Sequence, residues 1–527
     1  MARSPPPSLA TRPRDLRPGD AAAGERVRRG EFRFLGLELD AGPGGDPWDR
    51  ACPSRGFAAA LHGFGWLGDL LALGEPGARE ALRLWLGWRR LFGKPGGFSW
   101  SGAALDRRVF NLTCAAPALV QLASEAEGAE LLDSLGRQAA ALLDDRRADP
   151  SRELERLTAA ALAGAALAGP AGDKLLNKAL PRLEKLAPQA VLPDGVHATR
   201  SPQRGLELLF DLLALDDALS QRGRPAPVEA LRAVDRLGAA LRFFTLSDGR
   251  LPSFQGGEAG AAHRIAVALA LDAARTSAAR ALPFGGYQRL ESRLIRLIAD
   301  VGAPAQGPWS VGACAQPGSI EVEVGGARLI AACAWSASAE GAPVVLRGPA
   351  GGSCLGLGEA WPGLEARGEA GDFGPRLTGD ALVVTAERQE SAAGVWLDLA
   401  NGGWRGDFGL EHTRRLFLDL AADEVRGEDQ LAPVSRPRDR RPVFYLIRFQ
   451  LGAGVTASVA VDGKSAVLKP AGAQGWRLRS DAAETRLESV RVFEAAGPRQ
   501  AGVVVLAGLI HPTEGVRVRW KLSRDEG

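Results

Sequence analysis

The chain has 527 residues, roughly three to four times the length of a common domain, so at least two large structural units are expected. Hydrophobic residues make up 46% of the chain and charged residues 24%, which excludes a disordered protein. The 65 Lys and Arg residues nearly balance the 62 Asp and Glu residues. The resulting net charge of +3 argues against a generic nucleic-acid-binding protein, although it permits a local basic cleft for an acidic ligand.

Metal, disulfide and membrane signals are weak. The 5 cysteines include no CxxC pair and only 5 histidines are present, so no metal site, cofactor or disulfide framework is expected. The segment Met1–Asp20 has no apolar core typical of a signal peptide. The longest uncharged stretch, Thr158–Gly172, is too short to cross a bilayer. We therefore expect a cytoplasmic protein without a transmembrane segment.

The first part of the chain has a helical period. Residues 1–45 form an N-terminal arm, in which Glu31–Asp40 is compatible with a short hairpin. Beyond it, apolar residues recur at steps of three or four to about Glu291, as in Phe57, Leu61 and Phe64. Short Gly/Pro breaks between the segments favour antiparallel neighbours, so residues 46–302 are predicted to be stacked helical hairpins. Predicted helical segments include 113–124, 130–144, 153–168, 174–191, 205–219, 227–244 and 261–275.

The period changes to two after about Ala303. Ile320, Val322 and Val324 alternate with two glutamates, which predicts a strand with one solvated face. Asp462-Gly463 between two such runs is a hairpin turn signal. Many short strands with Gly-rich turns predict an antiparallel sandwich over residues 303–527. Further predicted strands are 327–333, 343–347, 381–387, 395–399, 414–420, 443–450, 455–461, 502–506 and 516–522.

Common catalytic motifs are absent. Gly463-Lys464-Ser465 is similar to the end of a phosphate loop, but the glycine required five positions earlier is replaced by Ser458. The sequence contains neither HExxH nor G-x-S-x-G. These observations exclude the corresponding nucleotide, zinc-protease and serine-hydrolase sites.

Several local phrases, taken together with their order, resemble one family. They are Trp48-Asp49-Arg50, Leu61-His62-Gly63-Phe64-Gly65-Trp66-Leu67, 192–202 (LPDGVHATRSP), Gly286-Tyr287, 407–415 (DFGLEHTRR) and Arg426-Gly427-Glu428-Asp429. From about residue 15 to its end, the chain resembles heparinase II/III-like proteins, which are polysaccharide-lyase-like. The resemblance implies an incomplete (α/α) toroid of helical hairpins followed by a large antiparallel β-sandwich.

The resemblance also implies a reaction. A lyase of this type removes the proton beside a uronate carboxylate by β-elimination, so it needs a group that neutralises the carboxylate and groups that move protons. Arg200 is the candidate for the carboxylate, and His197 and Tyr287 are the candidates for proton transfer. Each residue has an alternative role. Arg200 could form an ion pair with Asp194, His197 could cap a helix, and Tyr287 could lie at a domain interface.

Other side chains are candidates for binding an acidic polysaccharide or oligosaccharide. Aromatic faces suit pyranose rings, while a basic and an amide side chain on one helix face suit polar groups. Core packing, a solvated helix face or a domain interface are the alternatives. The candidates are His62, Trp66, Trp100, Arg108, Asn111, the loop residue Glu258 and the sandwich residue His412.

The chain lacks several phrases that such lyases often carry. No Asn-His pair occurs near 152–155, no Tyr-His follows Ser201-Pro202, and Asn401-Gly402-Gly403-Trp404 stands in place of an Asp-Gly-Tyr. A second hypothesis is therefore a non-catalytic glycan-binding or envelope-biogenesis protein that retains the lyase fold. A third is a toroid glycoside hydrolase that uses Asp194 and Glu258. A glycan-processing role would favour the cell envelope or periplasm over the cytoplasm. The glycan, the endo or exo mode and the oligomeric state are left open.

Overall fold

The structure, a computed structural model, describes residues 7–144, 149–271, 278–367, 375–379 and 382–526. The chain forms two compact units. The helical unit comprises Met1–Val191, Gly205–Gly238 and Ala266–Ala274. The sheet unit comprises Leu192–Arg204, Ala239–Ile265 and Arg275–Gly527, so it includes two segments from the helical half of the sequence.

Helices dominate the first half of the chain, as the period of its apolar residues predicts. None of the helices in the described ranges is long and apolar enough to cross a membrane. The helices are α1 (Ala21–Arg28), α2 (Arg55–His62), α3 (Trp66–Leu71), α4 (Glu75–Phe92), α5 (Gly102–Leu122), α6 (Glu125–Asp144), α7 (Glu153–Ala166), α8 (Gly169–Ala190), α9 (Pro202–Gln221), α10 (Val228–Phe244), α11 (Ala262–Leu271) and the short α12 (Arg405–Phe408).

Helix α7 explains the long uncharged stretch of the sequence. Every residue from Leu154 to Ala166 is buried, because α7 packs against α5, α6 and α8. A helix that is apolar on all sides is typical of a protein core. A Cβ on Gly164 would lie 2.9 Å from the Leu175 Cβ, so this glycine permits the close approach of α7 and α8. The part of the uncharged stretch that lies in α7 is therefore in the core of the helical unit.

The N-terminal arm is tied to the helical unit by contacts distant in sequence. Leu9 pairs with Leu167 in an isolated antiparallel bridge. The Arg17 guanidinium donates to Glu207 Oε2 at 2.9 Å and to Asp211 Oδ1 at 2.6 Å, and its side chain is only 8% exposed. Residues Glu31–Asp40 form the expected antiparallel hairpin. The arm is thus part of the packed unit.

Strands follow from Ala281 onward, and all their pairings within the described residues are antiparallel, as predicted. The strands are β1 (Glu31–Phe34), β2 (Leu37–Asp40), β3 (Ala281–Leu282), β4 (Tyr287–Glu291), β5 (Ile295–Asp300), β6 (Ile320–Val324), β7 (Ala327–Ala331), β8 (Leu355–Leu357), β9 (Leu364–Arg367), β10 (Arg376–Gly379), β11 (Val384–Glu390), β12 (Gly394–Asn401), β13 (Leu410–Asp419), β14 (Glu424–Pro433), β15 (Val443–Leu451), β16 (Thr456–Val459), β17 (Ser465–Lys469), β18 (Trp476–Ser480), β19 (Glu484–Val492), β20 (Arg499–Ile510) and β21 (Val516–Arg524).

Two large sheets make the sandwich of the sheet unit. The nine-stranded sheet has the order β19-β20-β15-β7-β6-β5-β4-β3, with β8 paired to β15. The eight-stranded sheet has the order β11-β12-β13-β14-β21-β18-β17-β16. Leu297 and Ile447 of the first sheet share one apolar core with Leu416 and Leu478 of the second. Alternating inward residues from both sheets form this core, as expected for face-to-face packing.

Three predicted element boundaries or types can be compared with the structure in detail. The strands begin at Ala281, earlier than the change of period near 303. The predicted strand 343–347 is wrong: Val344–Arg347 is a 3-10 turn, bounded by Pro343 and Gly348. The predicted helical segment 261–275 matches α11 as far as Leu271, and its last residues lie outside the described ranges.

The polar face of β6 also differs from expectation. Glu321 and Glu323 were predicted to face solvent, but they are only 1% and 3% exposed. Glu321 accepts a hydrogen bond from Ser253 N at 2.8 Å and pairs with Arg328 at 2.6 Å. Glu323 accepts from Ser247 N at 3.1 Å. The alternation predicted the two faces of the strand, but both of them are buried.

Candidate functional site

His197 and Arg200 lie in the loop that joins α8 to α9. Gly195, with a φ of +87°, makes the turn, and its amide donates to Leu192 O at 2.9 Å. Arg200 itself has a φ of +62°, which is uncommon for a residue with a side chain. Backbone strain of this kind persists only where the surrounding contacts fix it. The contacts of the Arg200 side chain supply that constraint.

The Arg200 guanidinium is bonded entirely within the sheet unit. Its Nε donates to Gly285 O at 2.8 Å, and its Nη1 and Nη2 donate to Gly302 O at 3.3 Å and Gly286 O at 3.2 Å. Nη2 also forms an ion pair with Asp300, and the Arg200 side chain is 6% exposed. Burial lowers the pKa of Arg200, but the charge and hydrogen bond of Asp300, together with the charges of Tyr287 and Asp194, outweigh it and the pKa is raised overall. These contacts favour a structural role for Arg200 over the predicted clamp on a substrate carboxylate.

Gln255 also forms a hydrogen bond with Asp300. Its side-chain amide donates to Asp300 Oδ2 at 2.8 Å, and its amide oxygen accepts from Cys314 N at 2.9 Å. Gln255 also has a positive φ, +49°. The two neighbours of the Asp300 carboxylate are therefore both strained, and we refer to Arg200, Gln255, Tyr287 and Asp300 as the Arg200 cluster.

Tyr287, the predicted acid or base, belongs to this cluster and is fully buried. Its hydroxyl donates to Arg200 O at 2.6 Å, and its ring packs against Phe244 and Phe254 with centroid distances of 5.0 and 5.2 Å. Burial raises the pKa of Tyr287 well above its ordinary value, although the nearby Arg200 charge acts in the opposite direction. The phenol therefore keeps its proton, and this disfavours a role as base.

His197 is 1% exposed and lies beside the Arg200 cluster in the same loop. Its Nδ1 accepts from Thr199 N at 3.2 Å and lies 2.8 Å from Thr199 Oγ1. The ring meets Trp309 edge-on with a centroid distance of 5.7 Å. Because Nδ1 is an acceptor, a neutral ring carries its proton on Nε2. His197 thus stabilises its own loop through Thr199, whereas the alternative to a catalytic role was a histidine that caps a helix.

The two carboxylates of the hydrolase hypothesis hold backbone amides. Asp194 Oδ2 accepts from Gly285 N at 2.8 Å. Glu258 Oε1 accepts from Ser336 Oγ at 2.5 Å and from Ala495 N at 2.7 Å, and burial raises the pKa of Glu258. Both groups therefore already stabilise loops of the sheet unit.

His412 lies inside the sandwich, in a network of polar side chains. Its Nε2 is 2.8 Å from Asp429 Oδ1 and its Nδ1 is 2.9 Å from Asn401 Nδ2. Arg414 donates to both oxygens of Asp429, at 2.7 and 3.1 Å. Burial lowers the pKa of His412, although Asp429 opposes this shift. Among the described residues, no three His, Cys, Asp or Glu side chains are grouped so that they could hold a metal ion.

The other binding candidates belong to the helical unit. Arg108 is fully buried, donates to Gln138 Oε1 at 2.6 Å and to His62 O at 3.0 Å, and lies 4.5 Å from the centroid of Trp88. The Trp88 indole donates to His62 Nδ1 at 3.0 Å. Burial, followed by the Arg108 charge, lowers the pKa of His62 to about 4. We call His62, Trp88, Arg108 and Gln138 the Arg108 cluster.

Trp66, Trp100 and Asn111 pack close to this cluster. The indoles of Trp66 and Trp100 donate to Leu61 O at 3.0 Å and to Phe92 O at 2.7 Å, and both rings are at least nine-tenths buried. Asn111 Nδ2 donates to Gly63 O at 2.8 Å. These contacts join the three side chains to the backbone of the helical unit. Core packing was the alternative for Trp66, and a solvated helix face was the alternative for Asn111.

The structure thus brings Arg200 and Tyr287 together in a buried and internally bonded cluster, and His197 lies beside it in the same loop as Arg200. Asp300 and Gln255 were not among the predicted site residues, and they lie 100 and 55 positions from Arg200. A signal was present for Asp300, because Ile295–Asp300 is a short apolar run ending in a carboxylate. Gln255 lies in a Gly-rich loop three positions before Glu258, and no local pattern marks it as a partner of Asp300.

Comparisons with known proteins agree with the fold. The family described as heparinase II/III-like, C-terminal, matches residues 274–521. FtsZ-localized protein C of Caulobacter vibrioides (strain NA1000 / CB15N) is 46% identical over 99% of this chain and 91% of its own length. A crystal structure of heparinase III has a TM-score of 0.73 at 12% identity and covers 96% of this chain and 85% of that one. Heparan sulfate lyase HepC from Pedobacter heparinus has a TM-score of 0.59 at 13% identity, over 96% of this chain and 83% of that one. With its helical hairpins, its antiparallel sandwich and these similarities, the chain belongs to the heparinase II/III-like family.

Proposed function

We propose that this chain is a non-catalytic member of its family that shares the FtsZ-dependent localisation named for its Caulobacter relative. The internal bonding of the Arg200 cluster is the observation that carries the first part. A lyase needs a cation available to the substrate carboxylate and a base that can lose its proton. Arg200 is paired with Asp300, and the Tyr287 hydroxyl is bonded to Arg200 O.

The second part is supported by similarity along nearly the whole chain. The identity of 46% covers 99% of this chain and 91% of the relative. The solved lyases are 12% and 13% identical, so their likeness supports the fold and not the reaction. The relative is therefore a better guide to function than the lyases.

Two measurements test the two parts separately. The purified chain is incubated with a panel of uronate-containing glycans while absorbance in the ultraviolet band of unsaturated uronates is followed. We expect no increase, and an increase that is lost in Tyr287→Phe would establish a lyase instead. Calorimetry on the same panel tests the alternative of a glycan-binding protein without catalysis.

Localisation is tested in cells. A fluorescent fusion of the full chain is imaged together with labelled FtsZ, before and after FtsZ depletion. We expect co-localisation that disappears on depletion. A fusion that stays diffuse, or that keeps its position without FtsZ, would contradict this part of the proposal and leave the enzymatic test unaffected.

A further inference from the structure

The outer face of the eight-stranded sheet, turned away from the sandwich core, contains an open pocket of about 600 Å³. Its floor is formed by the adjacent strands β12, β13, β14, β21 and β18. Neighbouring strands are about 4.8 Å apart, so the floor is roughly 19 Å wide. An extended peptide of about six residues spans this width.

One cross-strand row of this floor combines aromatic and basic side chains. Trp396, Phe417, Arg426, Lys521 and Arg479 are directly opposed from strand to strand. Trp396 is 46% exposed and stacks on Phe417 with a centroid distance of 4.3 Å and an interplanar angle of 29°. The Arg426 guanidinium lies 5.8 Å from the centroid of the Phe417 ring. The row is therefore apolar at one end and cationic at the other.

The three cations of this row are adjacent, which is unfavourable for the sheet by itself. Like charges directly opposite each other on neighbouring strands are destabilising. Two carboxylates partly compensate these cations: Glu424 lies 2.8 Å from Arg426 and 3.0 Å from Lys521, and Asp419 lies 3.4 Å from Arg426. Arg479 is exposed and forms no ion pair with any residue in the described ranges. The excess positive charge at this end of the row is thus left for a ligand.

The next row on the same face has a different pattern. Asp398, Arg415, Glu428 and Arg519 alternate in sign from strand to strand. Arg415 is 3.5 Å from Asp398, and Arg519 is 3.4 Å from Glu428. The carboxylates of Glu428 and Asp481 line the pocket and would repel a ligand that carries an anion on every unit. This disfavours nucleic acid and uniformly charged glycans.

We propose that this outer face docks an acidic peptide segment of a partner protein. An apolar side chain of the peptide would cover Trp396, while its carboxylates would meet Arg426, Lys521 and Arg479. Apolar residues can separate the acidic residues of a peptide, so its carboxylates need not lie next to Glu428 and Asp481. The surface is formed by the sandwich alone, and the inference does not depend on the proposed localisation with FtsZ.

Fluorescence anisotropy with the full chain tests this proposal. The probe is a short fluorescein-labelled peptide in which glutamate and leucine alternate, and its comparator carries glutamine in place of glutamate. We expect binding of the acidic probe only, weakened at higher salt. Arg479→Gln should weaken binding by about threefold to fivefold, as expected for an exposed charge pair. Trp396→Ala should weaken it by about tenfold or more, because exposed aromatic residues often dominate docking surfaces.

Arg441→Gln is the matched control, since Arg441 is 86% exposed and does not line the pocket. This variant should bind as the unmodified chain does. Circular dichroism checks that the variants are folded. Equal binding of the acidic and amide peptides, or unchanged binding by both Arg479→Gln and Trp396→Ala, would overturn the proposal. Tighter binding of an oligogalacturonate or an oligothymidine than of the acidic peptide would also overturn it, in favour of the ligand that binds best.

Discussion

Arg200 of the sheet unit and Arg108 of the helical unit are both buried, but their charges are balanced in different ways. Arg200 faces the Asp300 carboxylate and three backbone carbonyls. Arg108 makes no ion pair within the described residues and is held by Gln138, the His62 carbonyl and the face of Trp88. Burial lowers the pKa of Arg108 to about 9, whereas the pKa of Arg200 is raised.

The two arginines differ in which partner groups lose their interactions when the arginine is replaced by a neutral residue. Replacing an arginine that is paired with a buried carboxylate leaves that carboxylate without a counterion in a low-dielectric environment. An arginine held by aromatic rings and neutral acceptors leaves only unpaired acceptors. Depth of burial is similar at the two positions, so the partner decides the energetic consequence.

The largest expected effect is therefore at Arg200. Arg200→Met should lower the free energy of unfolding of the sheet unit by about 3–5 kcal/mol, because Asp300 loses its counterion. Denaturant unfolding followed by circular dichroism measures the change. Asp300→Asn in the same chain should restore part of the loss. If Arg200→Met costs no more than the same substitution at Arg108, the comparison is wrong.

The second effect is a pH dependence of the helical unit. His62 has a pKa of about 4 in the folded state, below its ordinary value of 6.5, so the unfolded state binds the proton first as pH falls. Stability should decrease between about pH 6.5 and pH 4, by up to roughly 3 kcal/mol. Melting temperatures across this range test it. His62→Gln should flatten the profile, and an equally steep profile in that variant would assign the effect to other groups, such as His412.

Arg108→Met should have a smaller effect than Arg200→Met. The substitution leaves Gln138 Oε1 and His62 O without their donor, which should lower the free energy of unfolding by about 1–2 kcal/mol. No carboxylate loses its counterion. It also removes a positive charge that lowers the pKa of His62. The pH profile of this variant should therefore be shallower than that of the unmodified chain. An unchanged profile would show that burial alone sets the pKa of His62.

The smallest effect is expected at Tyr287. Tyr287→Phe removes the hydroxyl that donates to Arg200 O and keeps the ring between Phe244 and Phe254. The loss of one buried hydrogen bond should cost about 1 kcal/mol. Denaturant unfolding under the conditions used for Arg200→Met gives the value. A cost above that of Arg108→Met would mean that Tyr287 holds the strained Arg200 backbone in place.

The helices were the most predictable part of the fold. The segment predicted at 227–244 is helix Val228–Phe244, because an amphipathic helix repeats its apolar residues many times. Strand Ile295–Asp300 was missed because it is buried on both faces, so its apolar residues do not alternate with polar ones. Alternation in Ile320–Val324 was recognised, but the sequence carries no local sign that its glutamates have buried partners.

The sequence identified the candidate site residues, but it did not predict their burial or their hydrogen-bond partners. The family resemblance supplied His197, Arg200 and Tyr287 as candidates, and in the structure Tyr287 contacts Arg200 while His197 lies in the same loop as Arg200. Asp300 binds Arg200 across 100 positions and Gln255 binds Asp300 across 45, and no local pattern shows which distant residues form such pairs. Whether a side chain faces a ligand or its own fold depends on these distant contacts.

The N-terminal arm has a consequence for the order of events during synthesis. Arg17 leaves the ribosome before its partners, because Glu207 and Asp211 follow 190 and 194 residues later. At about 5–20 residues per second, roughly 10–40 s pass before the arm can find these partners. The Arg17 guanidinium must stay solvated throughout this interval, whereas α1 can already pack against α3. Arg17 is thus synthesised long before its ion-pair partners, and this contact of the helical unit forms only after α9 has emerged.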